Sequence, residues 1–123
     1  MQVSILKQGK LLIATLPAEL TDADLMQFRD ELAEKVGKVR SSGVIVDVTA
    51  LDVMDSFAAR TLRGVAHAVK LRGAHTVVVG IQPEVAFSMV QLGLSLEGVE
   101  TALDLEEGLD LLRNPGSGRE RFA

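Results

Sequence analysis

The 123-residue sequence has no cysteine. That removes disulfides, thiolate metal sites and cysteine nucleophiles together, and it suits a reducing compartment. Trp and Tyr are also missing, so four Phe supply all the aromatic rings. Nucleic-acid binders usually combine a positive face with stacking rings. Here the formal net charge is -4 and the 13 Lys and Arg are spread without a dense run, so nucleic acid is not an expected partner. No apolar run approaches the roughly 18 residues that would suggest a membrane span. No charged segment followed by an apolar core opens the chain. The expectation is a soluble cytoplasmic protein with no membrane association.

Two kinds of motif are absent as well. No Gly-x-x-x-x-Gly-Lys or Gly-x-Gly-x-x-Gly run follows a strand, which disfavours a nucleotide enzyme. His67 and His75 fall on different predicted elements and lack Cys or regularly spaced carboxylates. No metal and no cofactor is therefore expected.

What is present is apolar: 47% of residues, rich in Val, Leu and Ala. A chain of this length fits one domain that buries roughly two thirds of its extended surface. Short apolar runs at 3–7 and 11–16, separated by Gln8-Gly9-Lys10, predict a β-hairpin that Pro17 ends. Thr21-Asp22-Ala23-Asp24 opens a helix with a capping hydroxyl and early acids. Leu25, Phe28, Leu32, Val36 and Val39 form its buried stripe. Arg29, Asp30, Glu34, Lys35 and Lys38 form its solvated face.

Gly43 starts a continuous β-branched strand over 44–48, a pattern of burial on both faces. A helix over about 56–72 follows, with Phe57, Ala58, Leu62, Val65, Ala66 and Val69 inward and Gly73 at its C-terminal stop. Residues 76–79 form another buried strand. Strand, long helix and strand make a βαβ crossover, and hence a parallel pair. Gly80-Ile81-Gln82-Pro83-Glu84 turns into a helix running to about Leu92, which Gly93 stops. A short strand at 99–102 and a helix capped by Asp104, running to Leu112, complete a domain over 1–113. Residues 114–123, opening Asn114-Pro115-Gly116, read as a flexible tail.

One stretch carries possible chemistry: Asp47-Val48-Thr49-Ala50-Leu51-Asp52-Val53-Met54-Asp55-Ser56-Phe57. It leads from a buried strand into a helix and places Ser56 in or beside the first turn. On the residues alone, helix capping is the favoured role of Ser56, and Asp55 competes for it. A hydroxyl at such a turn is also open to a kinase. A phosphate would add about -1.5 to -2 charge beside Asp52 and Asp55. A hydrolase triad built on Ser56 has little support, because no nucleophile-elbow motif surrounds it.

The element order, together with Met54-Asp55-Ser56-Phe57, Gly80-Ile81-Gln82-Pro83-Glu84-Val85-Ala86 and Glu100-Thr101-Ala102-Leu103-Asp104-Leu105-Glu106-Glu107-Gly108-Leu109, resembles the STAS domain family. Within it the chain is most similar to the small RsbS-like scaffolds of the stressosome. The resemblance implies an α/β domain: a mixed, mostly parallel sheet of about five strands packed with about four helices. It implies a non-enzymatic scaffold that sequesters an RsbT-like switch serine/threonine kinase and releases it once Ser56 is phosphorylated. It implies large homo- or hetero-oligomers with RsbR-like STAS paralogues, and an RsbX-like phosphatase that resets the site. Asp52, Met54, Asp55 and Phe57 would form the partner-binding turn, and Asp47 would either hold the loop or serve as an ordinary strand-end residue. The alternative is a simple anti-sigma-factor antagonist that binds an anti-sigma kinase one to one.

Overall fold

The computed structural model describes residues 3–114. The tail expected at the C-terminus lies, from residue 115 onward, outside the described residues. The described chain alternates strand and helix after an opening hairpin: β1 Ser4–Gln8, β2 Leu11–Thr15, α1 Asp22–Val39, β3 Gly43–Asp47, α2 Ser56–Leu71, β4 His75–Val79, α3 Pro83–Gln91, β5 Glu100–Ala102 and α4 Leu105–Arg113. The strands form one five-stranded sheet in sequence order. The hairpin pair β1–β2 is antiparallel, and every other neighbouring pair is parallel. The sheet is thus mixed and mostly parallel, with four helices, as the sequence led one to expect.

Alternation along the strands sorts side chains to two faces. Val44 and Val46 of β3 join Leu12, Ala14 and Val78 in the larger core, under α1, α2 and α3. Ile45 points the other way, with Val77 and Val79, beneath the Leu109 and Leu112 side chains of α4. The predicted stripes fill the first face: Leu25, Phe28, Leu32 and Val36 from α1, and Ala58, Leu62, Val65, Ala66 and Val69 from α2, are all buried. Phe28 is 0% exposed and anchors the centre. On the second face Gly108 lets α4 lie close to the sheet. A Cβ there would stand 2.6 Å from Val79 Cγ1.

Local signals set the helix ends. Thr21 and Asp24 close a reciprocal capping box on α1. Pro83 occupies the first helical position of α3. Asp104 caps α4 by accepting from the Glu107 amide at 2.9 Å. Gly73 follows α2 at φ 88°, a left-handed stop that glycine adopts without strain. Two expectations are corrected. Strand β3 spans Gly43–Asp47, not 44–48, because the Asp47 carboxylate bonds ahead to Thr49 and turns the chain. Phe57 is half-buried, not inward, because it packs at the margin of the core.

Candidate functional site

All the helices start at one edge of the sheet, where β2 to β5 end. The connection from Asp47 to Ser56 crosses that edge and is fastened to the loops on both sides. Asp47 Oδ1 accepts from the Thr49 amide at 2.9 Å and from the Thr49 hydroxyl at 2.6 Å, an Asx-type turn. The Gln82 side-chain amide donates to the Thr49 carbonyl at 2.8 Å. Gly80, at φ 81°, lies directly beneath Thr49, and a Cβ there would collide with the Thr49 hydroxyl. The β4–α3 turn thereby clasps the first half of the connection. Further on, the Asp52 amide donates to the Ala18 carbonyl at 3.1 Å, which ties the middle to the β2–α1 loop. Leu51 and Met54, 5% and 2% exposed, pin it from below.

At the end of this connection Asp55 is the N-cap of α2. Its backbone is extended, its Oδ1 accepts from the Ala58 amide at 2.8 Å, and its carbonyl accepts from the Ala59 amide at 3.0 Å. Ser56 is the first helical residue and is exposed. Its hydroxyl makes no hydrogen bond among the described residues. The sequence-based preference for Ser56 as the cap is therefore corrected in favour of Asp55. The longer carboxylate reaches the third amide of the helix, and that frees the serine one position on.

The other expected site residues separate into surface and support. Asp52 and Asp55 are exposed, Phe57 is half-exposed, and Met54 is buried. Met54 thus shapes the turn from inside and does not present itself to a partner. Of the two roles open to Asp47, the bonds to Thr49 favour holding the loop. Sequence reasoning missed Val53, which is 68% exposed at the tip of the turn. It also missed an apolar cavity of about 270 Å³ between this turn and the β2–α1 loop, lined by Leu16, Leu20, Leu25, Leu51, Val53 and Leu62 with Asp52 and Asp55. Val53 and Met54 are adjacent apolar residues in an aperiodic turn, and no pattern tells which of them faces out. His67 and His75 are exposed and on separate elements, α2 and β4. Among the described residues no helix is long and apolar enough to cross a membrane.

The chemistry available here is that of an unengaged hydroxyl on a fixed backbone. No Lys or Arg lies between Asp47 and Ser56. The positive end of the α2 dipole favours added negative charge at that point, while Asp52 and Asp55 oppose it.

Comparison with known proteins identifies the family of this fold. The family description "STAS domain" matches residues 2–108. A solved Ser-to-Glu variant of RsbS from Moorella thermoacetica is 35% identical, with a TM-score of 0.80, over 95% of this chain and 99% of that one. A solved structure of the stressosome, described as a signal integration and transduction hub, includes a chain 37% identical, with a TM-score of 0.76, over 91% of this chain and 97% of that one. The RsbT co-antagonist protein RsbRA of Bacillus subtilis is 36% identical over 83 residues, which is 68% of this chain but only 30% of RsbRA. The matched part of this chain thus corresponds to under a third of that curated relative.

Proposed function

This chain belongs to the STAS domain family, and from that premise we propose that it is a stressosome scaffold and phosphorylatable antagonist. In this reading it holds an RsbT-like serine/threonine kinase while Ser56 is unmodified and releases it when Ser56 is phosphorylated. It works without catalysing a reaction, in the cytoplasm, within an assembly that also contains RsbR-like paralogues. An RsbX-like phosphatase restores the hydroxyl. The observation that carries the reading is Ser56 itself: exposed, at the first position of α2, with its hydroxyl unengaged because Asp55 does the capping.

The mechanism follows from charge and rigidity. The turn is fastened by Asp47, Gln82 and the Ala18 carbonyl, so it offers a partner a fixed shape. Val53 and the neighbouring cavity supply apolar contact, and Asp52 supplies a charged rim. A phosphate on Ser56 adds about -1.5 to -2 charge where two carboxylates already stand. A partner fitted closely to the hydroxyl would then have to bury a desolvated dianion, which costs several kcal/mol unless it is paired. The fold need not change for the complex to dissociate. Similarity to RsbS from Moorella thermoacetica over nearly the whole chain supports the scaffold role.

The test is to incubate the protein with an RsbT-like kinase and ATP and to measure intact mass. Wild type is expected to gain one phosphate and Ser56→Ala none. No labelling of wild type, or equal labelling of Ser56→Ala, overturns the proposal. Size-exclusion chromatography with an RsbR-like partner separates the scaffold from the simple antagonist. The scaffold elutes in a megadalton species, whereas a one-to-one antagonist stays small.

A further inference from the structure

The outward side of α4 combines charge, apolar surface and a groove. Gly108 presses α4 onto the sheet, where a Cβ would stand 2.6 Å from Val79 Cγ1. Glu106 and Asp110 flank Gly108 in sequence, so at about 100° per residue each stands roughly 160° round the helix from it. Along the axis the two acids are about 6 Å apart. Glu106 is exposed and Asp110 half-buried, and Asp110 Oδ1 accepts from the Asn114 side-chain amide at 3.3 Å. Their neighbours turn back to the helix start: Asp104 accepts from the Glu107 amide at 2.9 Å, and Glu107 Oε1 accepts from the Leu103 amide at 3.4 Å. A groove of about 720 Å³ runs along this side, lined by Leu105, Leu109 and Arg113 as well as Glu106 and Asp110. At its far end Leu105 and Leu103 are 36% and 77% exposed.

The chain itself supplies a segment with the matching pattern. After Asn114 the sequence continues Pro115-Gly116-Ser117-Gly118-Arg119-Glu120-Arg121-Phe122-Ala123, outside the described residues. Pro, Gly and Ser at 115–118 are turn formers. They carry no charge, which suits a place beside Arg113. In an extended chain alternate side chains share a side, and residues two apart are about 6.6 Å apart. Arg119 and Arg121 therefore repeat at nearly the spacing of Asp110 and Glu106. Laid antiparallel to α4, Arg119 falls level with Asp110 and Arg121 with Glu106. Phe122, on the other side of the chain, falls level with Leu105. The length closes as well. Asn114 lies about 6 Å along the helix axis from Asp110, and the residues 115–118 reach roughly 13 Å when extended, which leaves room to reverse.

We propose that residues 119–122 dock along α4 as a strap, with the two arginines on Asp110 and Glu106 and Phe122 over Leu105 and Leu103. Residues 115–118 then form the turn of that strap, and the tail is not free throughout. Exposed ion pairs are weak one at a time. Here two pairs share one register with an apolar contact, on a segment already tethered to the helix, so ordering it costs only the closure of a short loop. The strap covers apolar surface on the face of the sheet opposite α1, α2 and α3. It requires nothing of Ser56, so its failure and that of the phosphoacceptor reading are separable.

Because the chain has no cysteine, Ala123→Cys in the full chain takes a single nitroxide label. Its paramagnetic broadening of backbone amide signals in isotope-enriched protein tests the strap, at about 50 mM salt so that screening is weak. With the otherwise unaltered sequence, broadening is expected to be strongest at Leu103 and Leu105. A free tail would instead broaden the residues at its root, Arg113 and Asn114. Arg119→Glu/Arg121→Glu lies outside the packed domain and leaves its core intact, and it should abolish the broadening at Leu103 and Leu105. Adding Glu106→Arg/Asp110→Arg to that variant exchanges the partners and should restore it. Four outcomes overturn the proposal. They are broadening centred on Arg113 and Asn114, broadening at Leu103 and Leu105 that survives Arg119→Glu/Arg121→Glu, no restoration in an exchanged form that keeps the unaltered circular dichroism, and broadening passed from labelled, unenriched protein to enriched protein without a label. The last would place the tail on a second copy. Should the exchanged form lose its circular dichroism, the other arms decide.

Discussion

Replacing Asp55 and Ser56 one at a time separates capping from signalling at adjacent positions. Asp55→Ala removes the acceptor held 2.8 Å from the Ala58 amide. Loss of an N-cap of this kind costs about 1 kcal/mol, within a range of roughly 0.5–2. The carboxylate also faces the positive end of the α2 dipole, which contributes about 0.3–1 kcal/mol more. The sum is about 1–2 kcal/mol, or a fall in Tm of about 4–8 °C for a domain of this size. Asp55→Asn keeps an oxygen acceptor and loses only the charge, so it should cost about 0.3–1 kcal/mol. Ser56→Ala removes an exposed hydroxyl with no partner and introduces a better helix former, so it should lie within about 0.5 kcal/mol of wild type. With no Trp in the chain, the assay is urea denaturation followed by circular dichroism at 222 nm, with equal slopes required across the variants. If Ser56→Ala costs as much as Asp55→Ala, or Asp55→Ala costs nothing, then Ser56 is the cap and its hydroxyl is not free for modification.

Two other perturbations report on what surrounds the turn. Gly80→Ala forces a side chain into the left-handed region, at about 1–2 kcal/mol, and displaces Thr49 from below. It should lower Tm and slow labelling of Ser56 by the kinase, whereas unchanged labelling would mean that the clasp does not position the turn. Gly108→Ala brings a Cβ to within 2.6 Å of Val79 Cγ1 and 3.2 Å of Ile45 Cδ1. Overpacking there should cost about 1–3 kcal/mol in the same denaturation assay while leaving Ser56 labelling unchanged in the folded fraction.

Periodic and local features were legible in the sequence. The stripes of α1 and α2, the capping box at Thr21, Pro83 at the start of α3 and the caps at Gly73 and Asp104 each depend on spacing within one element. The layered sheet follows from the β-branched runs at Val44–Val46 and Val77–Val79. The site was only partly legible, because its geometry comes from contacts across more than thirty residues of sequence. Nothing local to Gln82 says that its amide will hold the Thr49 carbonyl instead of capping α3. Asp55 and Ser56 are both good caps, and only the backbone path decides between them. Met54 and Val53 differ in exposure because Met54 falls over the core and Val53 over the rim, a distinction that one period of a turn cannot encode. The resemblance to the STAS family was needed to lift Ser56 above an ordinary polar residue at a helix start.

The central claim is that phosphate on Ser56 controls the hold on a kinase. The most direct measurement is the affinity of an RsbT-like kinase for two preparations of this protein, unmodified and phosphorylated at Ser56, by isothermal titration calorimetry. Tight binding of the unmodified protein, weakened by a hundredfold or more (about 2.7 kcal/mol or above) on phosphorylation, is the predicted result. Equal affinity for the two preparations would contradict it.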